Sequence, residues 1–410
     1  MTLSARATRW LLAGAFAAAF AVRLAVTVAF TGLGAPPNLS ANPDQAEYEQ
    51  ITYNVSRGAG YSMNGTTPTA VRPPGFTLTL LPVYEMFGRS FAMARLCLIL
   101  LSACTCLLAA WSAYQWRGHM PAVVSAWWLA IYPGHFYYAM HFLSETVYAF
   151  WLSAAVACTL AAMRSRRILP HAVAGVLWAL AILTRVELVV IVPVAWALVL
   201  CQSRERRTAW SRQLVVPTLI VGVLVGAWMT RNFVTLGTPT LSTQRGCTFW
   251  GSHNDVTFTS ARFAGTWVNC SGLVNVTHPI QGTEVVRERL AFSYGLDAVR
   301  RHAWQLPYLT AMKIWRLVSP FFDTTNQASL WTMAAGWIVA APFVVLGIWS
   351  TWKRSRATRS TWLVLVSPIL ATLVTTLIFY GSTRYRDSMA PILLIFAAFG
   401  LLKAAGMETA

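Results

Sequence analysis

Apolar runs of about 17 to 25 residues, the length that carries a helix across roughly 30 Å of hydrocarbon, recur along the whole chain. They predict about ten membrane helices, over residues 10–31, 91–112, 120–134, 143–163, 170–185, 187–202, 213–230, 330–352, 361–381 and 388–404. Polar stretches interrupt this rhythm at length in two places, residues 32–90 and 231–329. Connections that long beside compact helices commonly carry function. Within the second, residues 285–320 read as helical pieces lying at the membrane interface. The first run, Leu11 to Phe30, is followed by no clear small-residue cleavage site, so it reads as a membrane helix and not as a signal peptide. The expected fold class is all-α: one polytopic integral membrane domain over residues 1–410, with two long outer loops.

Composition sharpens this picture. With 56% hydrophobic residues, 11% charged residues and 19 Trp, the chain is too apolar for an ordinary soluble domain. Its net charge of +18 does not point to nucleic acid, because the basic residues lie in short clusters between spans instead of one stripe. Placing the amino terminus in the cytoplasm puts Arg6, Arg9, Arg117, Arg164, Arg166, Arg167, Arg204, Arg206, Arg207, Arg212, Lys353, Arg354, Arg356, Arg359 and Lys403 inside, as membrane topology demands. The same topology leaves Glu205 and Glu408 inside and the other twelve of the 14 acidic residues in outer loops or at outer helix ends. Acid chemistry is therefore expected on the outer side. The Arg- and Ala-rich composition suits a bacterial plasma (inner) membrane, with the reactive groups facing the periplasm or cell exterior.

The sequence contains no CxxC pair, phosphate-binding glycine loop, dinucleotide fingerprint or internal repeat. Five of the seven cysteines sit in or near spans; Cys247 and Cys270 share the second outer loop and are candidates for a disulfide. Asn64-Gly65-Thr66 and Asn275-Val276-Thr277 form glycosylation sequons, which matter only where that machinery exists.

In the first outer loop, NPDQAEYEQITYN reads as a helix start, with Asn42 as cap, Pro43 at the first helical position and Gln45 completing a box-like pattern. Asp44, Glu47 and Glu49 complement the positive end of such a helix, an effect of about 0.3 to 1 kcal/mol. A carboxylate held there also suits a general base that takes the proton of an attacking hydroxyl, with no cofactor required. Further on, GAGYSMNGTTPTAVRPPGF is rich in turn residues and is built to fold back. Arg72 before the two prolines presents a planar fork that grips phosphate through two parallel hydrogen bonds, or else simply anchors at the headgroup level.

Asp44 after the first span, GAGY at 58–61, RPPGF at 72–76, FGRS at 87–90, YPGHFYYAMHFLSET at 132–146, LTRVE at 183–187, TRNFVTLGTP at 230–239 and STRYRDSMAP at 382–391 occur in that order. In this order and outward placement the chain resembles the GT-C membrane glycosyltransferases, nearest the protein mannosyltransferase and aminoarabinose transferase branch (glycosyltransferase family 39-like). The resemblance implies transfer of a sugar from a polyprenyl-phosphate carrier, with inversion, to an acceptor hydroxyl on the outer face. It implies Asp44 as the base and Glu145 beside the substrate cavity.

Arg384 and Arg386 precede the last span, where two guanidinium groups suit a departing lipid phosphate; interfacial anchoring is the plainer alternative. Tyr48, Glu145, Tyr385, His253 and Asn254 are the expected substrate contacts, although Ser144 and Glu145 also suit an ordinary helix start. One histidine in FWGSHND, without a second His or Cys at fixed spacing, is a weak metal signal, so no metal ligand is assigned and a divalent ion stays open. Arg185 with Glu187, and Arg231 with Asn232, are expected to pair with each other. The expected partners are the lipid-linked donor, a lipid, glycan or protein acceptor and membrane lipids, with no nucleic acid. Two rivals stand beside this reading. One is a polysaccharide polymerase or ligase using diphosphate-linked donors. The other is a lipid or sugar transporter, for which Arg23 is the most conspicuous mid-span charge. Beyond the last predicted span only KAAGMETA remains, so acceptor selection is expected from the two outer loops.

Overall fold

The structure, a computed structural model, describes residues 3–37, 43–200, 204–275, 277–321, 326–352 and 359–407, giving backbone alone for 199–200 and 204–213. The described residues form no strand, only a single antiparallel bridge between Ser62 and Pro68. The helices are α1 (Ala5–Phe30), α2 (Asp44–Ser56), α3 (Gly75–Phe87), α4 (Phe91–Arg117), α5 (His119–Ile131), α6 (Pro133–Ala139), α7 (Ser144–Ala162), α8 (Ile168–Thr184) and α9 (Ile191–Leu200). They continue as α10 (Arg204–Leu236), α11 (Arg245–Ser252), α12 (Asp255–Thr259), α13 (Glu284–Arg301), α14 (Leu306–Val318), α15 (Gln327–Trp352), α16 (Arg359–Ile378), α17 (Thr383–Ser388) and α18 (Ala390–Ala404).

Each predicted span has its helix: α1, α4, α5, α7, α8, α9, α10, α15, α16 and α18. Six of these, among the described residues, contain segments long and apolar enough to cross a membrane unaided; α5, α8, α9 and α18 are apolar but shorter. Of the short ones, α18 is the most enclosed by protein. Twelve of the 15 residues of α18 are buried. Where α18 crosses α15, Gly400 lies on the carbonyl of Phe343 and Gly347 on that of Phe396, so close that a Cβ on either glycine would overlap the opposing backbone. Small residues thus let two apolar helices approach to backbone contact, as they do in membranes where no hydrophobic force drives helices together.

Two helices depart from the expected pattern. The loop between the first two spans contains α3, whose Phe76, Leu80 and Tyr84 pack with Tyr48, Leu98 and Phe142. At 13 residues, with Pro82 inside it, α3 falls short of the span length that the apolar pattern detects. The predicted span at 120–134 ends early. Tyr132 is extended (φ −71°, ψ 117°), as the residue before a proline prefers, and Pro133 opens the separate helix α6. The second loop carries α11 to α14, and Cys247 and Cys270 form a disulfide within it.

The mid-span charge of Arg23 is satisfied internally. Its guanidinium donates to Ser102 Oγ (2.6 Å) and to the carbonyls of Ala19 (2.9 Å), Ala130 (2.9 Å) and Leu129 (3.2 Å), joining α1, α4 and α5. It is a buried structural tie, which removes the chief sign of a transport pathway.

The two long connections meet at one end of the bundle. Glu284 accepts from Thr69 Oγ1 (2.7 Å) and the Ala70 amide (2.9 Å), while Arg231 donates to the carbonyl of Thr69 (2.7 Å) and to Asn232 Oδ1 (2.9 Å).

Candidate active site at the loop end of the helices

Asp44 is the first residue of α2, with Pro43 in the cap position and no side-chain cap; Asn42 lies outside the described residues. Gln45 Oε1 accepts from the Phe142 amide (3.1 Å), tying α2 to the segment before α7. The first turn of α2 therefore offers Asp44 and Glu47 to whatever cation faces it, and that cation is Arg72. Its Nη2 lies 2.6 Å from Asp44 Oδ1 and its Nε 2.6 Å from Glu47 Oε2, with the guanidinium 5.1 Å from the Tyr48 ring centroid. The fork that the sequence offered to phosphate holds two carboxylates. Gly75, three residues on, presses against Thr184 and Leu183 with no room for a Cβ. The start of α3 is thereby fixed beside the end of α8, where Arg185 follows.

Arg384 is the second residue of α17, and its amide donates to the Ser382 cap. Its Nε lies 2.6 Å from Glu145 Oε1, and both Nη atoms reach towards Asp44 Oδ2 at 3.4 Å. Glu145 Oε1 also accepts from Arg185 Nη1 (3.1 Å), and Arg185 Nη2 lies 3.6 Å from Glu187. The result is an unbroken alternation: Glu47, Arg72, Asp44, Arg384, Glu145, Arg185, Glu187. It draws on α2, the approach to α3, α17, α7 and the turn after α8, so no single element can form it. The expected Arg185–Glu187 pair is present, but as the end of this longer chain.

Exposure divides the chain of charges. The Asp44 side chain is 27% exposed and that of Arg384 29%, whereas Glu145 is 1% exposed. Partial burial of Asp44 favours its neutral form, but Arg72 and Arg384 outweigh it and hold the carboxyl below its ordinary range. Asp44 is thus a solvent-accessible carboxylate whose charged form its two arginines favour. Glu145 is a buried one; Leu143, not Ser144, occupies the cap position of α7, and Glu145 Oε2 has no hydrogen-bond partner among the described residues. The Tyr138 hydroxyl in α6 is likewise buried without a partner. Buried oxygens of this kind carry a desolvation cost that a bound polar group relieves.

The other expected contacts are placed differently. Tyr48 lies beneath Arg72, and Tyr385 lies beneath Arg185 at 5.0 Å to its centroid, so both rings support arginines of the chain. Arg386 faces away: its Nε is 2.9 Å from Asp387 Oδ1, it donates to the Ser319 carbonyl, and it covers the Trp337 ring at 4.5 Å. Already neutralised and buried, it ties α17 to α14 and α15. His253 and Asn254 are also structural. His253 Nε2 meets Lys313 Nζ at 2.8 Å, while Asn254 caps α12 in a capping box with Thr257. Among the described residues no group of three or more His, Cys, Asp or Glu side chains is placed to hold a metal. Sequence reasoning missed Tyr138 and the Arg185–Glu145 contact; the tyrosine pair in HFYYAM and the arginine ending α8 were the available signals.

No family model and no curated protein sequence matches the chain. Solved structures do. The archaeal oligosaccharyltransferase AglB from Archaeoglobus fulgidus, in complex with an inhibitory peptide and a dolichol-phosphate, is similar at a TM-score of 0.54 and 13% identity, over 95% of this chain and 50% of that one. The apo form of the Archaeoglobus fulgidus oligosaccharyltransferase gives 0.52 and 16% over the same shares. ArnT from Cupriavidus metallidurans in the apo state aligns with 97% of this chain and 78% of its own, at 16% identity and a TM-score of 0.42. The chain spans about half the length of the archaeal structures it matches. The likeness at these identities is one of fold, that of a polytopic, all-α membrane protein.

Proposed function

We propose that this protein is a membrane glycosyltransferase that moves a sugar from a polyprenyl-phosphate donor to an acceptor hydroxyl, with inversion, at the loop end of its helices. That end faces the periplasm or exterior of a plasma membrane. The observation that carries the reading is the carboxylate of Asp44, ionised, partly exposed and held between Arg72 and Arg384. The fold is consistent with it, since the similar archaeal protein is an oligosaccharyltransferase bound to a dolichol-phosphate.

The geometry supports a specific division of labour. Arg384 is anchored through Nε on Glu145, and its Nη contacts to Asp44 are, at 3.4 Å, far looser than the 2.6 Å contacts around them. A donor phosphate exchanges most readily for the weakest contact, so the two Nη atoms turn to the phosphate oxygens as a planar fork. Asp44 then loses one of its two cations and becomes a stronger base. It takes the acceptor hydroxyl proton as the acceptor oxygen bonds to the anomeric carbon. The bond from that carbon to the phosphate oxygen breaks, and polyprenyl phosphate departs with the electron pair, stabilised by Arg384. Entry opposite the leaving group gives inversion. The unpartnered oxygens of Glu145 and Tyr138 are suited to sugar hydroxyls.

The test is transfer from radiolabelled polyprenyl-phosphate sugars to native membrane acceptors. Asp44→Asn is expected to retain donor binding and to lose about 10²- to 10⁴-fold in rate, the usual contribution of a general base. Full activity of this variant, or turnover with diphosphate donors alone, would sink the mechanism.

A further inference from the structure

A cleft of about 430 Å³ opens between the two long connections. Asn64, Thr67 and Thr69 line one side, Gln244, Arg287 and Glu288 the other, and the Cys247–Cys270 disulfide closes part of its wall. Its volume lies within the roughly 300 to 1,000 Å³ typical of small-molecule sites. Glu47 also lines it, and Glu47 shares Arg72 with Asp44. One guanidinium therefore separates the cleft from the proposed base. A far smaller void of about 20 Å³ lies among α7, α16 and α17, lined by Tyr148, Arg185 and Tyr385.

We propose that the cleft between the loops binds the acceptor, and that the acceptor is a polyhydroxylated saccharide; the inference rests on the glycosyltransferase reading and assigns the acceptor side of that site. The cleft runs between the loops, outside the apolar helices, and suits a ligand carried in water.

The side chains favour a saccharide. Glu284 and Glu288 are already held, the first by Thr69 and Ala70 and the second by Arg245 (2.9 Å), so they stiffen the walls. The Gln244 amide and the Arg287 guanidinium have no side-chain partner among the described residues and line the open space. With the Thr67 hydroxyl and the carboxylate of Glu47 they offer donors and acceptors at separate points, the complement of a ring of hydroxyls. A peptide acceptor is favoured by an exposed sheet edge or an anchoring apolar pocket. The described residues offer no sheet edge, and Met63, Val71 and Ile280 in the cleft wall suit the C–H faces of a sugar ring.

The experiment uses the full-length protein in proteoliposomes with a radiolabelled polyprenyl-phosphate sugar. Acceptors are soluble oligosaccharides of mannose, galactose, glucose and arabinose, serine- and threonine-containing peptides, and native membrane lipids. The wild type is expected to label saccharides. Arg287→Ala and Gln244→Ala are expected to raise the saccharide KM about tenfold, the effect of losing one good hydrogen bond, with kcat and donor Kd unchanged. Labelling of peptides or lipids alone overturns the saccharide assignment and leaves glycosyl transfer standing, as does an unchanged saccharide KM in both variants. Failure of the wild type to bind or turn over any polyprenyl-phosphate sugar overturns the underlying reading and the inference with it.

Discussion

Arg384 and Arg386 are two residues apart in a short helix, and that spacing decides their fates. Positions i and i+2 of a helix point to different sides, so Arg384 faces Asp44 and Glu145 while Arg386 turns to Asp387 and the Ser319 carbonyl. The proposed donor grip thus belongs to Arg384 alone. Arg384→Ala is expected to weaken donor binding and slow transfer together, as isothermal titration and initial rates would register. Arg386→Ala leaves Asp387 buried and unpaired, so it is expected to lower the thermal midpoint by an amount reflecting about 3 to 5 kcal/mol, with the donor Kd of the folded fraction unchanged. A reversed pattern would reassign the phosphate. Because Arg72 and Arg384 depress the Asp44 carboxyl of the free enzyme, the acid limb of the kcat/KM profile, which reports free-enzyme groups, is expected below about pH 4, the ordinary aspartate value. A limb at pH 6 would point to a different base.

Elements explain what was legible. Apolar windows coincide with the six helices long enough to cross a membrane and with four shorter apolar ones among the described residues, and charges at helix ends pointed to Asp44, Arg72, Glu145 and Arg384, which the fold brings together. Helix α3 escaped because 13 residues broken by Pro82 resemble a loop, and α6 because it continues the apolar run of α5. Contacts across the chain were invisible: Arg185 read as the partner of nearby Glu187, although Glu145, 40 residues away, is nearer to its guanidinium. His253 and Asn254 looked like ligands because sequence does not show which way a loop turns. His253 instead faces Lys313 of α14, whose Nζ also donates to the Leu377 carbonyl (3.1 Å) at the end of α16. Burial pushes Lys313 down to about 7 and, with the lysine charge beside it, His253 down to about 3. An unfolded lysine keeps its proton to about pH 10.4, so between pH 7 and that value the unfolded chain binds more protons. The second loop is therefore expected to grow more stable as pH rises above 7. Hydrogen exchange of α11 and α14 at pH 6 and pH 9 would register the gain, and Lys313→Met would abolish it.

For the molecule as a whole, the contact between α15 and α18 sets the frame on which α17 and its arginines stand. Gly400→Val places a side chain against the Phe343 carbonyl and is expected to cost about 1 to 3 kcal/mol or more through overpacking. Thermal unfolding of the purified protein in detergent would detect it, and an unchanged midpoint would mean that α15 and α18 separate at little cost. Helix α18 touches α4, α5, α7, α15 and α17, and nearly all of it is covered by them. At 15 residues it extends about 22 Å, less than the roughly 30 Å of a hydrocarbon core. Among the described helices it is also the last to be synthesised. The ribosome therefore releases the centre of the protein after its walls, and the earlier helices must wait in the bilayer around a place that only this late, short segment can fill.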